Sequence, residues 1–235
     1  MKGFLDKHRL KVIKSLKGKR IYIDPGHGGS DPGGIGNGLI ERDINLVMAF
    51  ALAKLLRYLE ADIKLSRTNN STEKSLKQRC NEALDWDADL LISVHNNAGG
   101  GDGFEAIHTI FEERSIGDDV AKSIGRAVVE YTDQNVRRIF SKENSKGRDW
   151  YGINRLSGHI PSIITEGAFL DHTEDVKIID TVEEQQYFGY VIGIGISTYF
   201  GVLEEIKEAP DNEMTLAIDQ VINGLINIKK LLKKM

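Results

Sequence analysis

Cysteine is nearly absent: Cys80 stands alone in 235 residues. A single thiol forms no internal disulfide and has no second Cys with which to share a metal, so a disulfide scaffold is excluded. Long apolar runs are missing too. All are interrupted well short of the roughly 18 residues that span a bilayer. Hydrophobic residues still make up 40% of the chain, enough for a buried core and too many for disorder. Positive charge is not in excess. The net charge is −4, whereas a nucleic-acid binder is normally basic over its domain, so no nucleic acid is expected as partner. The opening MKGFLDKHRLKVIKSLKGKR has no continuous apolar stretch and so lacks the core of a secretory signal.

What is present begins with charge. Eight Lys and Arg residues stand among the first twenty, against Asp6 alone. Residues 1–18 read as a solvated basic leader or short helix. From Ile21 strands and helices alternate. IYID is a short strand that runs into a Gly/Pro-rich loop, DPGHGGSDPGGIGNG. Glu41 to Glu60 carries apolar residues at helical spacing. Ile63–Leu65, Leu90–Val94, Phe104–Phe111 and Ser162–Thr165 read as strands. Ser75–Trp86, Ile116–Tyr131 and Glu183–Phe200 read as helices. Polar Val136–Asp149 reads as a long loop. The alternation predicts an α/β fold with a mostly parallel twisted sheet and helices on both faces.

After Gly201 the character changes. EEIKEAPDNEM is a charged linker, and a helix follows with Met214, Ile218, Val221, Leu225, Ile228, Leu232 and Met235 at alternating spacings of four and three. This carboxyl-terminal amphipathic helix has three readings. It packs on the preceding domain, pairs with itself in a homodimer, or meets an anionic wall polymer or membrane surface through Lys229, Lys230, Lys233 and Lys234.

Four segments put ionisable groups at strand ends or a helix start: DPGHGG with His27, Glu41, SVHNNA with His95, and ITEG with Glu166. Ligands of open α/β sheets sit at the carboxyl ends of strands, so these side chains are expected to meet at one rim. Two imidazoles and a carboxylate suit Zn²⁺ and leave a fourth position for water. A second carboxylate off the metal can move protons. The Gly-rich loop fits neither phosphate-binding pattern, G-x-x-x-x-G-K-[ST] or G-x-G-x-x-G.

The order of IYIDPGHGGSDPGG, LIERDINL, LSRTNNSTEKSLKQRCNEA, ADLLISVHNNAGG, GFEAI and PSIITEGAFLDHTED resembles the zinc-dependent N-acetylmuramoyl-L-alanine amidases, amidase type 3, over about Lys19–Gly201. The resemblance implies a catalytic domain over 19–202, with 203–235 a separate linker and helix. It implies His27, Glu41 and His95 as zinc ligands and Glu166 as the catalytic glutamate. It implies peptidoglycan as substrate, cut between N-acetylmuramic acid and L-alanine. A non-catalytic wall-binding module and a zinc peptidase of the stem peptide are the competing readings. Asp24 either orients His27 or shapes its turn, and Asn97 holds substrate or loop. Arg67 and Arg79 read as structural. His108, His159 and His172 match no ligand position, with His159 expected nearest the site. Asn70 and Asp171 depart from the usual Asp and Asn. Without a visible signal, the expectation is synthesis in the cytoplasm and action on the wall after phage or mother-cell lysis, with a trimmed autolysin as the alternative.

Overall fold

The computed structural model describes residues 1–110 and 116–206. The heptad stripe, and with it the helix read as a dimer or surface contact, lies outside the described residues. Two compact units are present. One spans Val12–Glu204 together with Met1, and the other, among the described residues, holds Lys2–Lys11 with Glu205 and Ile206. In the smaller unit the described residues form a short helix, α1 (Lys2–Lys7). Leu10–Val12 is a short strand, β1.

The larger unit carries a six-stranded sheet. In chain order its elements are β2 (Arg20–Pro25), the small hairpin β3 (Ile35–Gly36) and β4 (Leu39–Ile40), α2 (Glu41–Tyr58), β5 (Asp62–Leu65), α3 (Leu76–Asp85), β6 (Leu90–Asn97), β7 (Phe104–His108), α4 (Ile116–Tyr131), β8 (Val136–Phe140), α5 (Gly152–Leu156), β9 (Ser162–Phe169), α6 (Thr173–Val176) and α7 (Val182–Tyr199), with β10 (Leu203–Glu205) at the end. The sheet order is β5-β2-β6-β9-β7-β8. Strands β5, β2, β6 and β9 are parallel, β7 runs antiparallel to β9, and β8 follows β7 in parallel. The expected mostly parallel sheet with helices on both faces is thus observed, with two strands reversed.

One expectation fails. Val136–Phe140 is not loop but the edge strand β8. Its charge misled the reading, because an outermost strand buries little and tolerates Arg137 and Arg138 on its exposed positions. The rest of that segment, from Ser141 to Asp149, is irregular apart from one isolated bridge between Glu143 and Asp149.

Helices α2, α4 and α7 cover one face of the sheet, and α3 and α5 the other. Glycines in α7 let the apolar helices approach closely. A Cβ on Gly189 would strike the Met48 carbonyl of α2, and one on Gly195 would lie 2.5 Å from Ile124 Cα in α4. On the α3/α5 face Tyr22, Leu91, Ile107 and Ile164 pack with Cys80, Ala83 and Ile153. Capping boxes start α3 (Ser75 with Gln78) and α7 (Thr181 with Glu184). Among the described residues no helix is long and apolar enough to cross a membrane.

Candidate metal centre and rim carboxylate

Side chains two apart on a strand share a face, and register partners on neighbouring strands line up across the sheet. Two such rows lie on the α3/α5 face. The inner row is Asp24, Ser93, Ile164, Ile107 and Phe140. The outer row, one step nearer the rim, is His95, Glu166, Glu105 and Arg138. The outer row lies where β2, β6 and β9 end, as expected for an open α/β sheet.

His27 enters this rim from the loop after β2. Its φ of 62° lies in the left-handed region, which costs free energy for a residue with a Cβ. Several bonds hold it there. Arg79 Nη2 donates to His27 O at 2.7 Å, and Arg67 donates to Pro25 O at 3.0 Å and Gly26 O at 2.8 Å. Both arginines are buried and structural, as expected. The Asp31 carboxylate lies 2.8 Å from His27 Nδ1 and so leaves Nε2 as the free donor atom.

Glu41 opens α2. No side chain caps this helix, because the preceding loop takes its first N–H groups: Glu41 N donates to Gly34 O and Arg42 N to Pro32 O, each at 2.9 Å. The Glu41 side chain is therefore released from helix duties and turned to the rim. It is buried, 4% exposed. Gly34 N donates to Oε2 at 2.8 Å, while Asn45 Nδ2 and Asn96 N donate to Oε1, each at 3.2 Å.

His27 Nε2 lies 3.0 Å from Glu41 Oε2, and His95 Nδ1 lies 2.9 Å from Oε1. One donor atom from each of the three residues falls within 4.8 Å of the others. Tetrahedral zinc with bonds of about 2.0–2.1 Å sets neighbouring donors about 3.3 Å apart, so this set fits the ion in chemistry and spacing. Gly33 is part of the fit. A Cβ there would come within 2.5 Å of Glu41 Oε2 and 2.8 Å of His27 Nε2. Burial opposes the charge on all three groups, and their mutual contacts outweigh it. His27 is carried up to about 9 by Glu41 and Asp31, His95 is raised by Glu41 and Glu166, and Glu41 is held far below the usual carboxylate range by both imidazoles.

Glu166 is different. Its carboxylate takes no hydrogen bond among the described residues, and burial pushes it up to about 7. His95 opposes that rise, and the negative charges of Glu41 and Glu105 add to it. A carboxyl group near pH 7 is suited to take a proton and return it.

Asp24 does not reach the imidazole of His27. It accepts from Ser66 Oγ at 2.5 Å, Ser93 Oγ at 2.9 Å and Arg79 Nη1 at 2.5 Å, so it shapes the turn. Asn97 contacts Glu105, and Asp171 accepts from Gly99 N and Gly100 N, which fixes the loop after β6. Asn70 bridges Arg67 and Asp43. His108 and His172 bond to Thr109 O and Asp175. His159 is exposed in the turn leading into the amino-terminal end of β9, away from the rim rather than nearest to it. Sequence reasoning missed Asp31 and Glu105. Asp31 sits four residues after His27 in a glycine-rich loop, where no periodicity announces a contact. Glu105 lies within GFEAI, but the reversed direction of β7 that brings it to the rim is invisible in the chain.

Two imidazoles, a carboxylate and a separate high-pKa carboxyl, gathered at one edge of a sheet, define an α/β protein with a hydrolase-type rim site. The N-acetylmuramoyl-L-alanine amidase family matches residues 21–198, and the chain belongs to that family. It is similar to N-acetylmuramoyl-L-alanine amidase CwlM of Bacillus licheniformis, 35% identical over 165 residues that cover 67% of this chain and 59% of the relative. It is equally similar, at 35% over 165 residues, to the sporulation-specific N-acetylmuramoyl-L-alanine amidase of Bacillus subtilis, with 69% of this chain and 60% of the relative covered. The chain thus spans about 60% of the length of these curated relatives. The crystal structure of an N-acetylmuramoyl-L-alanine amidase from Clostridium difficile 630 superimposes with a TM-score of 0.69 at 27% identity, covering 80% of this chain and 98% of that one.

Proposed function

We propose that the protein hydrolyses the amide between N-acetylmuramic acid and L-alanine in peptidoglycan, with zinc held by His27, Glu41 and His95 and with Glu166 as general base and acid. The observation that carries this is the outer row: the free Glu166 carboxylate stands beside His95 in register, next to the three-residue donor set. Bound zinc would supply a Lewis acid for the scissile carbonyl and a more acidic water. The protein's own groups do the rest. Asp31 fixes the His27 tautomer, and the Gly34, Asn45 and Asn96 donors hold the Glu41 carboxylate in one orientation. Glu166 takes the proton of the attacking water and returns it to the departing L-alanine nitrogen.

Purified peptidoglycan tests the reading. The amidase must release peptides with a free L-alanine amino terminus. Cuts confined to internal peptide bonds would establish a stem peptidase, and binding without any cleavage would establish a wall-binding module. We place the action at the cell wall. A dimer in solution that is lost on deleting the residues after Glu208 would assign pairing to that heptad-striped segment, and an unchanged association state would remove that role.

A further inference from the structure

The outer row does not stop at Glu166. Next across the sheet stands Glu105, buried at 2% exposure, and beyond it Arg138 on the edge strand β8. Arg138 Nε donates to Glu105 Oε1 at 2.9 Å and Nη2 to Oε2 at 3.2 Å. Arg137 Nε lies 3.1 Å from the same Oε1. One carboxylate thus faces two guanidinium groups, and Arg137 also lies 3.8 Å from Asp102 Oδ1. The Arg138 plane is held over the Phe140 ring, 4.1 Å from its centroid. That stacking and the paired bonds fix the group, while its side chain remains 51% exposed. Among the described residues Nη1 has no partner, so one donor edge faces solvent. Tyr151, packed against Phe140, lies within electrostatic reach of Arg138, Glu105 and Glu166 together and forms a wall beside the row.

A buried carboxylate is neutralised by a single guanidinium. Here two meet it, and the more exposed of them, Arg138, is rigid and lies on the same face as Glu166. We propose that Arg138 is a substrate-anchoring residue that binds a free carboxylate of the stem peptide, with Glu105 holding it in place. The inference rests on the amidase reading above and deepens it. Two interstrand steps separate Glu166 from Arg138, about 10 Å. An extended peptide covers that distance in about three residues. The anchored carboxylate therefore belongs to the second or third residue from the scissile amide, and the stem runs across β7 toward the sheet edge. Glycan lies on the other side, toward His27.

The test uses zinc-loaded enzyme and two muramoyl tripeptides, one with free carboxyls on residues two and three and one with both amidated. The expected KM of the wild type is about 10- to 100-fold higher for the amide, the range of one charged hydrogen bond, with kcat changed less. Arg138→Ala should raise KM for the acid by a similar factor and change that for the amide much less, and Arg138→Lys should fall between. Indifference of the wild type to amidation would overturn the proposal. So would an Arg138→Ala variant slowed equally on both substrates, which would leave Arg138 only neutralising Glu105. Calorimetric titration of the wild type with the corresponding free tripeptides needs no variant: preference for the acid supports the anchor and equal binding refutes it. A wild type that prefers the acid tripeptide but cleaves neither muropeptide would sink the amidase reading and leave the anchor standing.

Discussion

Asp24 is 1% exposed and lies at the inner end of the rim, paired with Arg79, itself 4% exposed. Removing one partner of a buried, hydrogen-bonded ion pair strands the other charge, at a cost of about 3–5 kcal/mol. Asp24→Ala should therefore lower the melting temperature by about 6–20 °C for a domain of this size. The double variant Asp24→Ala/Arg79→Met leaves no stranded charge and should melt above the single one. It should still bind zinc more weakly than the wild type, because Arg79 also holds the His27 carbonyl. The pair carries a pH signature. Burial works against the Asp24 carboxylate, but Arg79 and Ser66 hold its pKa below the ordinary value. A depressed folded-state pKa gives stability that is fully present above the unfolded value of about 3.9 and is lost as pH falls through the folded one. The gap between wild type and Asp24→Ala should stay constant from pH 7 to about pH 5 and close below about pH 4. Scanning calorimetry across that range is the assay. A loss under about 1 kcal/mol at pH 7, or a gap that persists at low pH, would refute the argument.

Three further outcomes concern the rim directly. Glu166→Gln should retain about one zinc per chain and lose at least about 100-fold in turnover, since a positioned acid–base group contributes that much or more; near-normal turnover on muropeptides would remove Glu166 from the chemistry. Asp31→Ala should weaken zinc binding by about 10- to 100-fold in a chelator competition while the fold is kept, because the partner that sets the His27 tautomer is gone. Gly33→Ala should weaken it as well, since the new methyl meets both Glu41 Oε2 and the His27 imidazole at a residue with φ of +68°; metal content equal to wild type would mean that the loop moves aside freely.

What was legible in the chain, and what was not, follows from how each signal is stored. Leu90–Val94 is an almost wholly apolar run and Ser162–Thr165 is centred on Ile163 and Ile164, because their strands are buried on both faces, and such short uncharged segments are read without tertiary knowledge. His95 and Glu166 end or follow those runs, so their meeting at one rim was accessible. Their register, His95 opposite Glu166, is a property of the folded sheet. Strand direction is less accessible still. Phe104–His108 reads as a strand in either orientation, yet only the antiparallel one sets Glu105 against Glu166. Val136–Phe140 concealed itself by the opposite route: an edge strand that carries two adjacent arginines lacks the apolar run and reads as loop. These two blind spots coincide in space. The part of the rim beyond Glu166, where Glu105 meets Arg137 and Arg138, is built from the two reversed strands, of which β8 is also the charged edge strand. The metal half of the site is stored in local motifs that can be read one segment at a time. The half proposed to receive the peptide exists only once β7 and β8 pair.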